Sequence, residues 1–385
     1  MNGLHRQFSI RGLLSIDGEL TEGAVVVSGD RISKVARVVR DEELPRPVYQ
    51  ADVISPGFID LQVNGGFGVD ADGDPDSYKT LARRLPESGV TSFLPTIISS
   101  SPDAYPSAFA ALEQAKGAPG ARALGFHLEG PFLAVARKGA HPASAIENAT
   151  DALFDDLLAS NQALLMTVAP ERERGLERIA RLHSAGVVVS LGHTDATAEE
   201  FEAGVDAGAT MATHLYNAMS PFNHRAPGVI GAALADDRVV VGLIADGIHS
   251  HSIAITLALR AKGPRRIALV TDMMAAAGMP PGTYRLGAQH VTRDETAARL
   301  EDGTLAGSVL LMDEAVRNMV RWSGLSLGEV LPMATSTPAR VLYRRDIGVI
   351  ERDALADLVL LDTAGNVQKT FVGGELVYDR ERVPA

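Results

Sequence analysis

Several polar side chains that can ligate a metal or carry a proton follow short apolar runs of this sequence. They are Glu129, His193, His214, Asp246, His249 and Asp272. One glutamate and two histidines, here Glu129, His193 and His214, form the three-ligand set of a catalytic zinc site that keeps one position open for water. Glu129 carries this interpretation, because a carboxylate that ends an apolar strand is seldom buried without a partner. The same reasoning applies to Asp272, for which a helix N-cap is the structural alternative.

The segment SPGFIDLQVNGG, residues 55–66, raises the question of how many metal ions such a site would hold. Many barrel hydrolases end this strand in His-x-His, but the two positions here are Gln62 and Asn64. Neutral amides compete poorly with water for zinc-like ions. The segment LLMTVAPE also has no lysine that could bridge a second ion. We therefore expect one divalent ion per chain, with Gln62 free to bind the substrate or the attacking water and Asn64 ordering its loop.

The polar residues are spaced by an alternation of β-rich apolar runs and Ala-rich helical stretches. Eight runs are FIDLQVN, TSFLPT, ALGFHLEG, LLMTVAPE, VVVSLGH, ATMATHL, VVGLIAD and IALVTDM. Eight such repeats predict an α/β fold, a parallel (β/α)8 barrel with the polar strand ends at one mouth. A doubly wound open sheet is the alternative, but it usually has fewer strands and a glycine-rich phosphate loop, which the sequence lacks.

Both ends of the chain have a different pattern, with short β runs separated by turn residues. Residues 19–39 and 356–378 each show a hairpin pattern. Because chain termini often lie close together, we expect them to form one small β-sandwich domain from residues 1–54 and 342–385, beside a barrel of residues 55–341.

The composition excludes several classes of partner and location. A net charge of −12 argues against nucleic-acid and anionic-membrane partners, which require basic patches. The absence of cysteine excludes disulfides and thiolate metal sites, and it fits a cytoplasmic protein. The start of the sequence shows no export signal, and no run has the length of a membrane span.

The motifs FHLEGPF, LGHTDA, THLYNAMSPF, ADGIH, VTD and LAGS together extend over most of the chain. With SPGFID and ADLVLLD, they resemble the N-acetylglucosamine-6-phosphate deacetylases of the amidohydrolase superfamily. HLEGP and THLYNAM carry the specificity of this resemblance. It implies a deformed TIM-type barrel with a small β-sandwich from both termini, and a homodimer.

The resemblance also implies roles for individual residues. Glu129, His193 and His214 would bind the metal, for which zinc is the first choice and Fe, Co, Mn or Cd are alternatives. Asp272 would be the general base and acid. The residues implied to bind the substrate are Gln62, Gly130, His141, Asn217, Ala218, Arg225, His249, Leu305 and Ala306. Arg225 and His249 would hold the sugar phosphate, in some relatives from the neighbouring subunit, and His141 has a surface-loop role as its alternative.

The implied reaction removes the acetyl group of N-acetyl-D-glucosamine 6-phosphate in amino-sugar catabolism or cell-wall recycling. Three alternatives remain open at this point. One is a deacetylase that prefers N-acetylgalactosamine 6-phosphate. The second is another barrel amidohydrolase that acts on a different N-acyl or cyclic amide. The third is a non-catalytic homologue, which would normally lack the ligands or the aspartate of strand eight.

Overall fold

The computed structural model describes residues 7–37 and 40–382. Residues 1–6 lie outside the described residues, and with them His5, expected at the surface, and part of the segment read for an export signal. In chain order, the strands of the described residues are β1 (Gln7–Ile16), β2 (Glu19–Ser28), β3 (Arg31–Ala36), β4 (Val48–Pro56), β5 (Phe58–Val63), β6 (Gly65–Gly66), β7 (Val69–Asp70), β8 (Val90–Ile98), β9 (Arg122–Ala123), β10 (Phe126–Glu129), β11 (Ala163–Val168), β12 (Val188–Leu191), β13 (Met211–Ala212), β14 (Val240–Leu243), β15 (Ile267–Leu269), β16 (Gly282–Leu286), β17 (Gln289–Arg293), β18 (Ala298–Arg299), β19 (Leu358–Leu361), β20 (Val367–Val372) and β21 (Glu375–Asp379). The helices are α1 (Pro75–Arg84), α2 (Ala104–Ala115), α3 (Ala143–Glu147), α4 (Asp151–Ala159), α5 (Gly175–Ser184), α6 (Ala198–Asp206), α7 (Gly228–Ala235), α8 (Ser252–Lys262), α9 (Met312–Ser323), α10 (Leu327–Val330) and α11 (Ser336–Val341).

Eight strands form a nearly closed parallel barrel in the order β15–β14–β13–β12–β11–β10–β8–β5, which confirms the predicted fold class. Each lies within or overlaps one of the eight apolar runs. Every residue of β5, β8, β10 and β12 is buried, which explains why these runs are apolar throughout rather than alternating. Helices follow most of the strands. Because the strands are parallel, their carboxyl ends meet at one mouth of the barrel.

The barrel is closed between β5 and β15 by contacts just beyond the end of β15. The Asp272 amide donates to the Gln62 carbonyl at 3.0 Å, and the Asn64 amide donates to the Met273 carbonyl at 2.9 Å. Below them the buried Asp60 carboxylate accepts from the Thr271 amide at 3.2 Å and from its hydroxyl at 2.5 Å. We call these contacts the seam. They hold the ends of the first and last barrel strands side by side.

The terminal strands form a separate seven-stranded sheet, ordered β21–β20–β19–β4–β1–β2–β3. Hydrogen bonds join all seven strands in one continuous sheet. Its core contains both Ile32 of β3 and Phe371 of β20, from opposite ends of the strand order, so the sheet must bend around that core. Gly12 and Gly23 pair across β1 and β2, where a Cβ would lie 2.2 Å from the Ala51 oxygen and 2.6 Å from the Ala36 oxygen, respectively. The domain limits expected from the sequence stay a prediction.

A three-stranded antiparallel sheet of β16, β17 and β18 lies between β15 and α9 in the chain. This sheet was not predicted from the sequence. Its Gln289 side chain donates to the Ala140 carbonyl at 2.9 Å, and the Gly287 amide donates to the Asp70 carboxylate at 2.5 Å. Across the described ranges, the helices are all too short or too polar to cross a membrane.

Candidate active site at the barrel mouth

Three strand ends bring Glu129, His193 and His214 together. Glu129 ends β10, and the histidines lie shortly after β12 and β13. The two Nε2 atoms are 3.1 Å apart, and Glu129 Oε1 lies 3.3 Å from His193 Nε2 and 3.0 Å from His214 Nε2. One ligand atom from each residue lies within 4.8 Å of the other two, and all three side chains are buried. The residues predicted to bind a metal therefore converge on one point.

The donor set of this cluster fits a divalent metal ion. His193 Nδ1 lies 2.8 Å from the Arg137 carbonyl, which can only accept, so the ring proton is on Nδ1 and the Nε2 lone pair faces the cluster. Burial opposes ionisation of Glu129, but the three surrounding imidazoles outweigh it and hold the pKa of Glu129 well below its usual range. One carboxylate oxygen and two imidazole nitrogens are the ligand types of a three-ligand hydrolytic site.

The backbone is strained where these side chains leave their strands. His193, His214 and Asp272 have φ angles of 48°, 27° and 52°, in the left-handed region that residues other than glycine seldom adopt. Such conformations cost of order 1–3 kcal/mol each and cluster at functional sites. Here they fall on three side chains that line the cavity at the mouth.

Asp272 is held by the two amide side chains that stand in the His-x-His positions. Its Oδ1 accepts from Gln62 Nε2 at 3.0 Å and from Asn64 Nδ2 at 2.7 Å. The same Gln62 nitrogen donates to Glu129 Oε1 at 2.9 Å. Burial, and next the charge of Glu129, raise the pKa of Asp272 to about 6. Gln62 and Asn64 thus act as hydrogen-bond donors to carboxylates. The role predicted for Asn64, ordering its loop, did not include this contact with Asp272.

His141 lies beside the cluster as a neutral imidazole. Its Nδ1 accepts from the Ser99 amide at 3.1 Å, so the ring proton must be on Nε2, which lies 3.6 Å from Glu129 Oε2. Burial lowers the pKa of His141 to about 4. The side chain is buried, so its alternative as a surface-loop residue is wrong. Its Nε2–H is a donor aimed into the site.

These groups line a cavity of about 340 Å³ at the mouth. The predicted site residues that line it are Glu129, His141, His193, His214, Asn217, Ala218, His249, Asp272 and Leu305. Gln62, Ala306 and Gly130 are buried and do not line this cavity. Gly130 has a φ of 89°, and a Cβ there would lie 2.4 Å from Ser99 Oγ, so only glycine fits.

Arg225 is the predicted site residue that the structure places apart. It lies in the fully exposed loop 221–226 and does not line the cavity of its own chain. His249 does line it, and its Nδ1 lies 2.6 Å from Asp246 Oδ2.

A second cavity of about 540 Å³ borders the first through Ile98 and Leu286. It is larger, but its lining has no histidine and does not contain Glu129 or Asp272. Among the described residues, the carboxylate and histidine cluster that could hold a metal lines the smaller cavity, so we place the candidate active site there.

Three residues in or next to the site have contacts that the sequence did not indicate. Asn64 was expected only to order its loop, Asp246 was named as a polar strand end without a role, and Asp60 was not singled out. An acid within the apolar run FIDLQV is a recognisable sign of a buried structural carboxylate, because such a group needs hydrogen-bond donors. Nothing in the local sequence of Asn64 indicates its contact with Asp272, which lies 208 residues away.

The mouth of this parallel barrel carries a carboxylate–histidine cluster, and an aspartate that is not part of the cluster lies beside it. This combination defines a metal-dependent barrel hydrolase. The amidohydrolase family model matches residues 53–377. The chain is 41% identical over 345 residues to N-acetylglucosamine-6-phosphate deacetylase from Mus musculus, covering 86% of this chain and 84% of that protein. It is 38% identical over 374 residues to N-acetylgalactosamine-6-phosphate deacetylase from Escherichia coli O157:H7, covering 95% and 97%.

Among solved structures, a mutant N-acetyl-D-glucosamine-6-phosphate deacetylase from Mycobacterium smegmatis in complex with N-acetyl-D-glucosamine-6-phosphate is similar, with a TM-score of 0.89 and 31% identity. That match covers 96% of this chain and 99% of the other. The chain belongs to the amidohydrolase family and, within it, to the N-acetylglucosamine-6-phosphate deacetylases.

Proposed function

We propose that this enzyme hydrolyses the N-acetyl group of N-acetyl-D-glucosamine 6-phosphate, giving D-glucosamine 6-phosphate and acetate. The observation that carries the proposal is the Glu129, His193 and His214 cluster beside Asp272 in one cavity. The names of the similar proteins, one of them in complex with this sugar phosphate, support the choice of substrate.

We propose that Glu129, His193 and His214 hold one divalent ion per chain, zinc first, with Fe, Co, Mn or Cd as alternatives. Such an ion polarises a carbonyl and lowers the pKa of a water molecule toward neutrality. Gln62 and Asn64 support a single ion, because both amides use their N–H groups on carboxylates and offer no strong ligand.

Asp272 would move the protons. Both amides bind its Oδ1, which leaves Oδ2 to take a proton from the attacking water as the water oxygen bonds to the acetyl carbon. The same oxygen then gives the proton to the amide nitrogen as the C–N bond breaks, which releases the amine and acetic acid, and the acid ionises to acetate in water. Holding Oδ1 with two donors fixes the carboxylate in one orientation.

His141 would stabilise the charge that develops on the acetyl oxygen. Its Nε2–H is the donor, since Nδ1 accepts from the Ser99 amide. A neutral imidazole in a buried site can donate this hydrogen bond without placing a second positive charge beside the cluster.

Arg225 and His249 would bind the phosphate, with Asn217 and Ala218 in the turn after β13. Arginine can bind a phosphate through two parallel hydrogen bonds. Since Arg225 lies in an exposed loop of its own chain, we propose that it acts on the substrate of a neighbouring subunit.

We propose a homodimer because Arg225 would act in a neighbouring subunit and because exposed apolar side chains occur close in sequence to Arg225 and His249. Phe222 in the Arg225 loop, Ile248 beside His249, and Ile253 and Leu257 on α8 are 61%, 39%, 65% and 54% exposed. We propose that these side chains form one apolar patch at the interface, since contiguous exposed apolar patches are typical of one. We also propose a cytoplasmic enzyme of amino-sugar catabolism or cell-wall recycling, in keeping with the lack of cysteine.

Steady-state kinetics on four substrates tests the reaction and its alternatives. These are N-acetylglucosamine 6-phosphate, N-acetylgalactosamine 6-phosphate, unphosphorylated N-acetylglucosamine and a cyclic amide. We expect the highest kcat/KM on the first. A preference for the galactose isomer, supported by the name of the E. coli relative, would change the substrate but keep the reaction. Turnover that ignores the phosphate would contradict the proposal.

Metal content by elemental analysis after exhaustive dialysis tests the single ion. We expect one equivalent per chain with full activity, loss of activity with a chelator and recovery with added zinc. Two tightly held equivalents, both needed for turnover, would contradict it.

A further inference from the structure

Asp246 lies behind His249 at the edge of the cavity and is fixed by three hydrogen bonds. Its Oδ1 accepts from the amides of Ile248 and His249, both at 2.8 Å. Its Oδ2 lies 2.6 Å from His249 Nδ1. The two side chains are 9% and 7% exposed. The carboxylate therefore sets both the position and the orientation of the imidazole ring.

This contact decides which ring nitrogen of His249 carries a proton. Burial raises the pKa of Asp246, but its hydrogen bond to His249, the charge of His249 and the two amides outweigh burial and lower it. Asp246 is thus an ionised acceptor, and Nδ1 must donate to it. In the neutral ring, Nε2 then has only a lone pair, which repels a phosphate oxygen. Nε2 can donate to a phosphate only when His249 is an imidazolium.

Charged groups from other parts of the fold act on the pair. Asp272, at the end of the last barrel strand, interacts with His249, and Glu314 of α9 interacts with Asp246. The other charged groups that act on Glu314 are Asp313, Arg317 and Arg321. Asp313 and Arg317 form an ion pair with each other.

We propose that Asp246 is a positioning residue that holds His249 as an imidazolium when the substrate phosphate is bound, so that substrate binding is coupled to protonation of His249. This inference rests on the proposed function, because it assumes a phosphorylated substrate. It makes uptake of a proton by His249 part of substrate binding. It also gives a role to Asp246, a carboxylate that takes no part in the deacetylation itself.

The first test is the pH dependence of KM for N-acetylglucosamine 6-phosphate. Above pH 7 the phosphate is already a dianion, since its second pKa is about 6, so changes there report on the protein. We expect the wild-type KM to rise toward alkaline pH, approaching tenfold per pH unit once free His249 loses its proton. In Asp246→Asn, the amide can donate to Nδ1 and leave a neutral ring with Nε2–H. That variant should show a KM about tenfold higher at pH 7 and almost independent of pH, with kcat within about twofold of wild type.

Two controls separate this role from a structural one. KM for unphosphorylated N-acetylglucosamine should be unchanged in Asp246→Asn, since that sugar makes no phosphate contact. His249→Gln, which keeps a neutral donor and cannot titrate, should reproduce the flat profile even if Asp246→Asn folds poorly. If either folded variant keeps the wild-type alkaline rise, or if KM rises equally for both sugars, the inference is wrong. If wild-type enzyme does not prefer the phosphorylated sugar, the proposed function fails instead.

Discussion

At the barrel mouth, the buried carboxylates of Glu129 and Asp272 share the neutral amide of Gln62, whereas the buried carboxylate of Asp357 beside the terminal sheet is paired with Arg122. Asp357 also accepts from the Gly373 amide at 2.8 Å. Within residues 7–37 and 40–382, Glu129 and Asp272 form no ion pair with lysine or arginine. Beside the terminal sheet, the buried charge of Asp357 is thus compensated by an arginine. The mouth keeps negative charge available for a cation and for proton transfer.

The backbone of the two regions differs in the same way. The residues with positive φ angles at the mouth include His193, His214 and Asp272, to which we assign the chemistry, whereas Asp17 at the β1–β2 turn has φ 53° and is followed by a glycine. A tight hairpin turn requires such angles. At the mouth, the same backbone strain serves to orient side chains. We therefore expect substitutions at the mouth to affect turnover and substitutions in the terminal sheet to affect stability.

The largest expected effect is that of Asp272→Asn on turnover. The side chain of asparagine has the shape of aspartate, so its oxygen can still accept from Gln62 and Asn64, but it cannot take a proton. We therefore expect kcat to fall by about 10² to 10⁴. Thermal unfolding and metal content should stay close to wild type. Near wild-type kcat would remove Asp272 from its proposed role.

Phe371→Ala should produce the opposite result in the terminal sheet. Phe371 is 1% exposed and packs its ring against Phe8 and Tyr49 at centroid distances of 5.2 Å. Its truncation should cost about 3–5 kcal/mol of unfolding free energy, measured with denaturant, with kcat of the folded enzyme unchanged. Leu176→Ala, at a side chain that is 43% exposed, is the control and should lie within about 0.5 kcal/mol of wild type. A large loss of kcat in Phe371→Ala would show that the regions are coupled.

Arg225→Ala tests whether the mouth is completed by a second chain. Loss of one charge-assisted contact, about 1.5–3 kcal/mol, should raise KM for the phosphorylated sugar ten- to over a hundredfold and leave the unphosphorylated sugar unaffected. Mixing Arg225→Ala with Asp272→Asn subunits should restore some activity, because a hybrid dimer holds one intact site. No recovery would place the arginine's action within its own chain, and equal weakening of both sugars would make it structural.

The smallest expected effect lies at the seam. Burial raises the pKa of Asp60 to about 7, against about 3.9 for an unfolded aspartate. The folded state therefore binds this proton more tightly, and the stability that it contributes is complete below about pH 4 and is lost as the pH rises to about 7. Between pH 5.5 and 8, wild type should lose roughly 1–2 kcal/mol relative to Asp60→Asn, measured as the difference between their unfolding free energies. Parallel pH curves for the two proteins would show that Asp60 is not titrating in this range.

The sequence was sufficient for the barrel and for the metal cluster, for one shared reason. Residues at the ends of consecutive parallel strands meet at the same edge wherever each strand lies in the order, so Glu129, His193 and His214 could be placed together from local patterns. The hydrogen bonds of Asn64 and Asp246 could not be predicted from local patterns. Their contacts depend on the direction of a side chain after its strand has ended, where no periodicity applies.

The sequence by itself determined the eight strands, the residues at their ends and the amides in place of a second metal ligand pair, because these are properties of short segments. Only the tertiary structure decided what those amides do. Closing the barrel at the seam brings Gln62 and Asn64 against Asp272, 210 and 208 residues away, and turns poor metal ligands into the donors that orient it. The same closure buries Asp60, and pairing between strands from both ends of the chain makes the terminal strands one continuous sheet. Such contacts depend on the register between segments far apart in the chain, which local physical chemistry does not specify.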